Sequence, residues 1–137
     1  VQTGPGPVDG VPRPAPYLIR FSVGDLRRVR QETARWMATT GLTSGRVADF
    51  VIAVSEIATN AVRYGSPQAQ LELRSGTGNT VLAVVRDTGR WETGVRPGEA
   101  EGRGRMGLAL ARRICDEVDI LTGLSGTTVI MRMSLTG

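Results

Sequence analysis

Four stretches of the chain carry residue types suited to chemistry rather than packing. Glu56 and Asn60 lie four residues apart in a segment of helical periodicity, which puts a carboxylate and an amide on one face. A carboxylate so placed can orient or deprotonate a hydroxyl or water. An amide oxygen is a hard donor of the kind Mg²⁺ accepts beside waters and phosphate oxygens. The same spacing is also common on solvated helix faces. Asp87 ends the apolar run Val81-Leu82-Ala83-Val84-Val85, with Gly89 close behind. A strand-end carboxylate next to a glycine can accept a hydrogen bond from an exocyclic amino group such as that of adenine, and Asp-Thr-Gly equally makes an ordinary turn. Gly102-Arg103-Gly104-Arg105-Met106-Gly107-Leu108 runs into a helix. Its glycines admit a ligand to the backbone, its N–H groups and helix dipole favour an anion, and Arg103 and Arg105 can add charge-assisted contacts to phosphate. A long loop rather than a strand turn precedes it, so it is not a dinucleotide fingerprint, and a glycine loop without a ligand has the same composition. Gly126-Thr127-Thr128 enters the last strand.

All 17 basic residues are arginine, against 13 Asp and Glu, and histidine is absent. Mechanisms that need lysine or histidine are therefore excluded: a P-loop lysine, a eukaryotic-type kinase lysine, a Schiff base, Ser-His-Asp or Cys-His pairs, and a histidine metal site. A histidine phosphoacceptor is excluded as well. Cys115, the single cysteine, cannot form an internal disulfide and falls on an apolar helical stripe, as a buried inert thiol does. The net charge of +4 is spread along the chain and aromatic residues make up 4%, without the basic and aromatic interleaving of a base-stacking surface. Direct nucleic-acid binding is not expected. No apolar run approaches the ~18 residues of a membrane span, and the N-terminus lacks a signal peptide's apolar centre. A cytoplasmic protein without a membrane partner is expected.

The elements that must position these residues follow from periodicity, and 137 residues support one core. Residues 1–16, with Gly4, Pro5, Gly6, Pro7 and Pro12, read as a flexible leader, and residues 17–137 as the domain. Leu18, Ile19 and Phe21 predict a strand. Leu26, Val29, Thr33, Trp36 and Met37 then predict a helix that Gly41 closes. A second helix runs from an N-cap at Ser44 to about Tyr64. Its core stripe of Val47, Phe50, Val51, Val54, Ile57, Ala58, Ala61 and Val62 leaves Glu56, Asn60 and Arg63 on the neighbouring stripe. Strands over 69–74 and 81–86 form a hairpin around Gly76-Thr77-Gly78-Asn79. A third helix is expected over 106–118 and two last strands over 120–122 and 127–133.

The order of these motifs resembles the Bergerat-fold (GHKL) ATP-binding domain, and most closely the RsbW-like anti-sigma factor serine kinases. Val54-Ser55-Glu56-Ile57-Ala58-Thr59-Asn60-Ala61-Val62-Arg63-Tyr64-Gly65 resembles that family's N box over its whole length. Asp87-Thr88-Gly89 stands at its G1 box, Gly102 to Leu108 at its G2 box, and Gly126-Thr127-Thr128-Val129 at its terminal Gly-Thr strand. The resemblance spans Tyr17 to Ser134. It implies an α/β two-layer sandwich, with three helices on one face of a mixed, mainly antiparallel sheet. It further implies ATP and Mg²⁺ as cofactors, Glu56 as catalytic base, Asn60 as metal ligand and Asp87 as the reader of adenine. Gly89, Gly104, Gly107 and Leu108 would line the nucleotide, Thr128 would help at the adenine, and Arg63 and Arg105 would contact phosphate. The implied partners are a sigma factor, a STAS-type anti-sigma-factor antagonist phosphorylated on serine or threonine, and a second copy of the chain. Arg90 and Trp91 depart from the family's small residues after Gly89. The alternative is a catalytically weak or inactive module of the same fold that sequesters a protein without phosphoryl transfer.

Overall fold

The computed structural model describes residues 14–89 and 103–135, with the backbone alone for residues 65 and 103–106. In chain order these form β1 (Tyr17–Ser22), α1 (Leu26–Met37), α2 (Ser44–Asn60), β2 (Gln68–Ser75), β3 (Thr80–Asp87), α3 (Arg103–Ile114), β4 (Glu117–Gly123) and β5 (Gly126–Ser134). A 3₁₀ turn over Val23–Asp25 leads into α1, and a π-wound turn over Ala61–Gly65 ends α2. The five strands form one sheet in the order β1-β2-β3-β5-β4. Every pairing among the described residues is antiparallel. The helices cover one face, giving the two-layer sandwich expected from the sequence.

Alternation along the strands decides which side chains meet the helices. Ile19 and Phe21 of β1, Leu71 and Leu73 of β2, Val81, Ala83 and Val85 of β3, and Val129, Met131 and Met133 of β5 share one buried cluster. Val29 and Met37 of α1 and Phe50, Val54, Ile57 and Ala61 of α2 pack on them. Burying each large side chain there stabilises the fold by about 1.5–3 kcal/mol. Thr33, buried among them, donates its hydroxyl to the Val29 carbonyl at 2.7 Å, so no polar atom of that side chain is stranded.

Helix boundaries differ from the sequence reading where local hydrogen bonds compete. The cap of α2 is Thr43 rather than Ser44, because the Thr43 hydroxyl accepts from the Arg46 N–H at 3.3 Å. Before α1, the Ser22 N–H and hydroxyl both donate to Asp25 Oδ2, and these bonds hold the Asp25 carboxyl below its ordinary range. The third helix starts at Arg103, before the expected Met106, and ends at Ile114 rather than Val118. There the Asp116 N–H pairs with the Arg132 carbonyl, so the strand ladder takes over and Val118 belongs to β4. Its spacing from Ile114 fits a helix, yet Val118 and Ile120 alternate as a strand requires. Of the expected leader, residues 1–13 lie outside the described residues, and the Ala15 carbonyl accepts from the Trp36 indole at 2.8 Å.

Candidate functional site

One end of the site is built where α3 lies against α2. Asn60 is 5% exposed on α2, and Glu56, one turn earlier, is half-buried. Gly107 of α3 sits directly on both: a Cβ at that position would lie 3.1 Å from Glu56 Oε1 and 3.3 Å from the Asn60 side-chain nitrogen. Those distances are tighter than ordinary van der Waals contact, so a larger residue would have to displace the pair. Fully buried Ala111, one turn further along α3, keeps the approach close. A glycine inside a helix costs about 1 kcal/mol relative to alanine, and here that cost coincides with a close approach to two polar side chains. The π-wound turn over Ala61–Gly65, a rare geometry that recurs at functional sites, begins directly after Asn60 and carries exposed Arg63.

The other end is built at the end of β3. Asp87 is 7% exposed and follows Val81, Ala83 and Val85 on the helix-facing side of the sheet. Its Oδ1 accepts the Gly89 N–H at 2.8 Å, so the Asp-Thr-Gly segment does form the turn that was one of its two readings. Paired opposite Asp87 on β5 is Thr127, whose hydroxyl donates to the Gly89 carbonyl at 3.0 Å. Gly126 has φ +132°, and a Cβ there would collide with the Asp87 carbonyl oxygen, so only glycine fits against the turn.

The structure brings Glu56, Asn60 and Gly107 together and puts Asp87 and Gly89 in one turn. Thr128 is elsewhere. Side chains on a strand alternate, so Thr128 points to the face away from the helices, where it lines a groove with Arg20, Gln70, Arg86 and Leu121. Of the two threonines, Thr127 is the one whose hydroxyl meets the Asp87–Gly89 turn. The alternation of Val129, Met131 and Met133 was the sequence signal that could have identified it. Leu108 is half-buried and packs on the hydrophobic core. Gly104 lies within the first turn of α3, in a helix rather than the loop expected before it. The side chain of Arg105 and residues Arg90, Trp91 and Gly102 lie outside the described residues.

Two features carry no chemistry of this site. The groove on the open face has a volume of about 530 Å³, but it meets the site only through the strand ends at Asp87, Thr88 and Gly126. Cys115 is buried, and loss of water contact together with nearby Asp116 pushes its thiol up to about 12, so it is no nucleophile.

The sequence profile of the histidine kinase-like ATPase domain matches residues 19–133. The chain belongs to that family. Among solved structures, the RsbU and RsbW domains of a Mycobacterium tuberculosis protein match 88% of this chain with a TM-score of 0.70 at 27% identity. The Erythrobacter litoralis EL346 blue-light activated histidine kinase matches 69% of it with a TM-score of 0.54 at 24% identity, and the histidine kinase domain of that protein 82% with a TM-score of 0.53 at 21% identity. The two Erythrobacter matches speak for the fold alone. The chain spans 32% of the first two solved chains and 60% of the third. It is thus a GHKL-type ATPase domain structurally related to RsbW and RsbU domains. Among the described residues, no helix is long and apolar enough to cross a membrane.

Proposed function

We propose that this domain is an ATP-dependent switch of the RsbW kind: it binds ATP and Mg²⁺ between α2 and α3, phosphorylates a serine or threonine of a STAS-type anti-sigma-factor antagonist, and sequesters a sigma factor. The observation that carries this reading is the seat of Gly107 on Glu56 and Asn60. It brings a carboxylate, an amide and the N-terminal turns of a helix to one place, on the sheet side that also buries Asp87.

The residues present suit the nucleotide and its metal. Asn60 offers an amide oxygen, and the described residues contain no group of three Asp, Glu, Cys or His ligands. A single protein donor fits an ion that completes its shell with phosphate oxygens and waters, as Mg²⁺ does. When bound, the metal supplies charge neutralisation across the triphosphate. The backbone N–H groups in the first turn of α3 would donate to phosphate oxygens, with Gly104 putting no side chain in their way and Gly107 setting that helix end against Glu56 and Asn60. Glu56 would accept the proton of the acceptor hydroxyl as its oxygen bonds to the γ-phosphorus, while the β,γ-bridging P–O bond breaks and ADP leaves. Asp87, held in place by the Gly89 N–H, would accept from the purine's amino group, with Thr127 supporting the turn through the Gly89 carbonyl.

Calorimetric titration with ATP and ADP, with and without Mg²⁺, tests the site on the wild type and on Asp87→Asn. Mg²⁺-dependent binding that Asp87→Asn loses is expected, and a wild type that takes up neither nucleotide sinks the proposal. Glu56→Ala and Asn60→Ala each abolish modification of the antagonist; phosphorylation that persists in the double variant removes the assigned chemistry. The departure at Arg90 and Trp91 favours a second reading, sequestration without transfer. On that reading both variants bind the sigma factor as the wild type does, and none of the three modifies the antagonist.

A further inference from the structure

Ser66 joins the two ends of the site. It follows the π-wound turn that ends α2, where its N–H donates to the Ala61 carbonyl at 2.9 Å. Its side chain is buried, with the residue 7% exposed. The hydroxyl donates to the Gln68 carbonyl at 2.6 Å, at the start of β2, and accepts the Thr88 N–H at 3.3 Å. One small side chain thus fixes two backbone points 22 residues apart in sequence, Ser66 itself and Thr88.

The consequence lies in what each point belongs to. Thr88 is the middle residue of the turn that presents Asp87. The β5 side of that turn is held by the Thr127 hydroxyl on the Gly89 carbonyl and by the close approach of Gly126 to Asp87. Ser66 holds the turn toward α2, the helix that carries Glu56 and Asn60. The bond to Gln68 is short and anchors the hydroxyl, while the 3.3 Å bond to Thr88 is the weaker of the two and the first to yield when the turn moves. Without that acceptor the Thr88 N–H loses its Ser66 partner, and the turn loses its tie to the segment that follows α2 while keeping its internal Gly89-to-Asp87 bond and its β5 contacts.

The geometry points to Ser66 as a positioning residue for purine selection: it sets the Asp87 turn against the end of α2, so that the base-reading carboxylate and the Glu56–Asn60 pair hold one spacing. This rests on the nucleotide-binding reading above. The assignment makes two separate demands, one on the free protein and one on ligand discrimination.

Amide hydrogen exchange at Thr88 and Gly89 in the nucleotide-free protein, with ATP and GTP titrations, tests it on the wild type, Ser66→Ala and Ser66→Thr. In Ser66→Ala, exchange at Thr88 rises about five- to tenfold, ATP binding weakens about tenfold and the preference for ATP over GTP narrows by a similar factor. Ser66→Thr, which keeps the hydroxyl, restores all three; where Ser66→Ala does not fold, Ser66→Cys takes its place. Wild-type exchange at Thr88 together with an unchanged ATP-to-GTP ratio in the hydroxyl-free variant overturns the assignment. A wild type that binds neither nucleotide, while Thr88 exchange still responds to the variant, overturns the nucleotide reading and leaves Ser66 a purely structural tie.

Discussion

The two faces of the sheet are made from the same five strands and do opposite work. On the helix side the alternating positions are apolar from Ile19 to Met133, and polar side chains enter only at the strand ends, as Asp87 and Thr127. On the open side the same strands carry ion pairs, Arg86 with Glu72 at 3.0 Å and Arg132 with Glu117, while Leu82 and Val84 lie nearly buried between them. Half-exposed pairs of this kind contribute about 0–1 kcal/mol each, so the open face is held up by the core beneath it rather than by its charges. Chemistry therefore collects where the apolar face runs out. A polar residue one step along the strand is no nearer in function than one on another element.

That contrast is sharpest in truncation. Leu71→Ala on the inner face is expected to cost about 2–5 kcal/mol, because a fully buried side chain leaves a cavity. Leu18→Ala on the open face, where the leucine is 57% exposed, stays within about 0.5 kcal/mol. Urea denaturation of both variants decides, and equal losses would erase the distinction between the faces.

A smaller effect separates two adjacent threonines. Thr127→Val strands the Gly89 carbonyl and is expected to destabilise the turn by about 1–3 kcal/mol while weakening ATP binding about tenfold. Thr128→Val leaves both within experimental scatter. The reverse ranking, in melting and titration run side by side, would return the role to Thr128.

The smallest effect at neutral pH belongs to Cys115, at the buried end of α3. Its thiol titrates near 12 in the folded chain against an ordinary 9.0. The favourable share of stability is present below about pH 9 and is lost as pH rises toward 12, because the unfolded thiol releases its proton first. Iodoacetamide at pH 8 should leave the native thiol intact and label it once the chain is unfolded in urea. Rapid labelling of the native protein would place Cys115 outside the core.

Much of this arrangement was legible beforehand because it rests on local rules. Phe50, Val54, Ile57 and Ala61 recur at helical spacing, and Glu56 and Asn60 fall beside them whatever the rest of the chain does. The hairpin of β2 and β3 follows from two alternating runs and a glycine turn. The end of α3 is ambiguous in the sequence because Ile114 and Val118 satisfy a helical period and Val118 and Ile120 a strand period. Only the bond from Asp116 to Arg132 chooses between them. Ser66 had no signal of its own, since Gly65-Ser66-Pro67 reads as a helix stop, and its partner Thr88 lies far along the chain.

Residue order alone determined which segments are helix and which are strand, the exclusion of lysine and histidine chemistry, the shared helix face of Glu56 and Asn60, and the place of Asp87 at a strand end. These depend on spacing within a few residues and on side-chain type. Tertiary structure decided that Gly107 lands on Glu56 and Asn60, that Thr127 rather than Thr128 backs Asp87, and that Ser66 ties α2 to the β3 turn. Those are contacts between segments distant in sequence, set by how α3 packs across α2 and by strand register, and no local pattern encodes either.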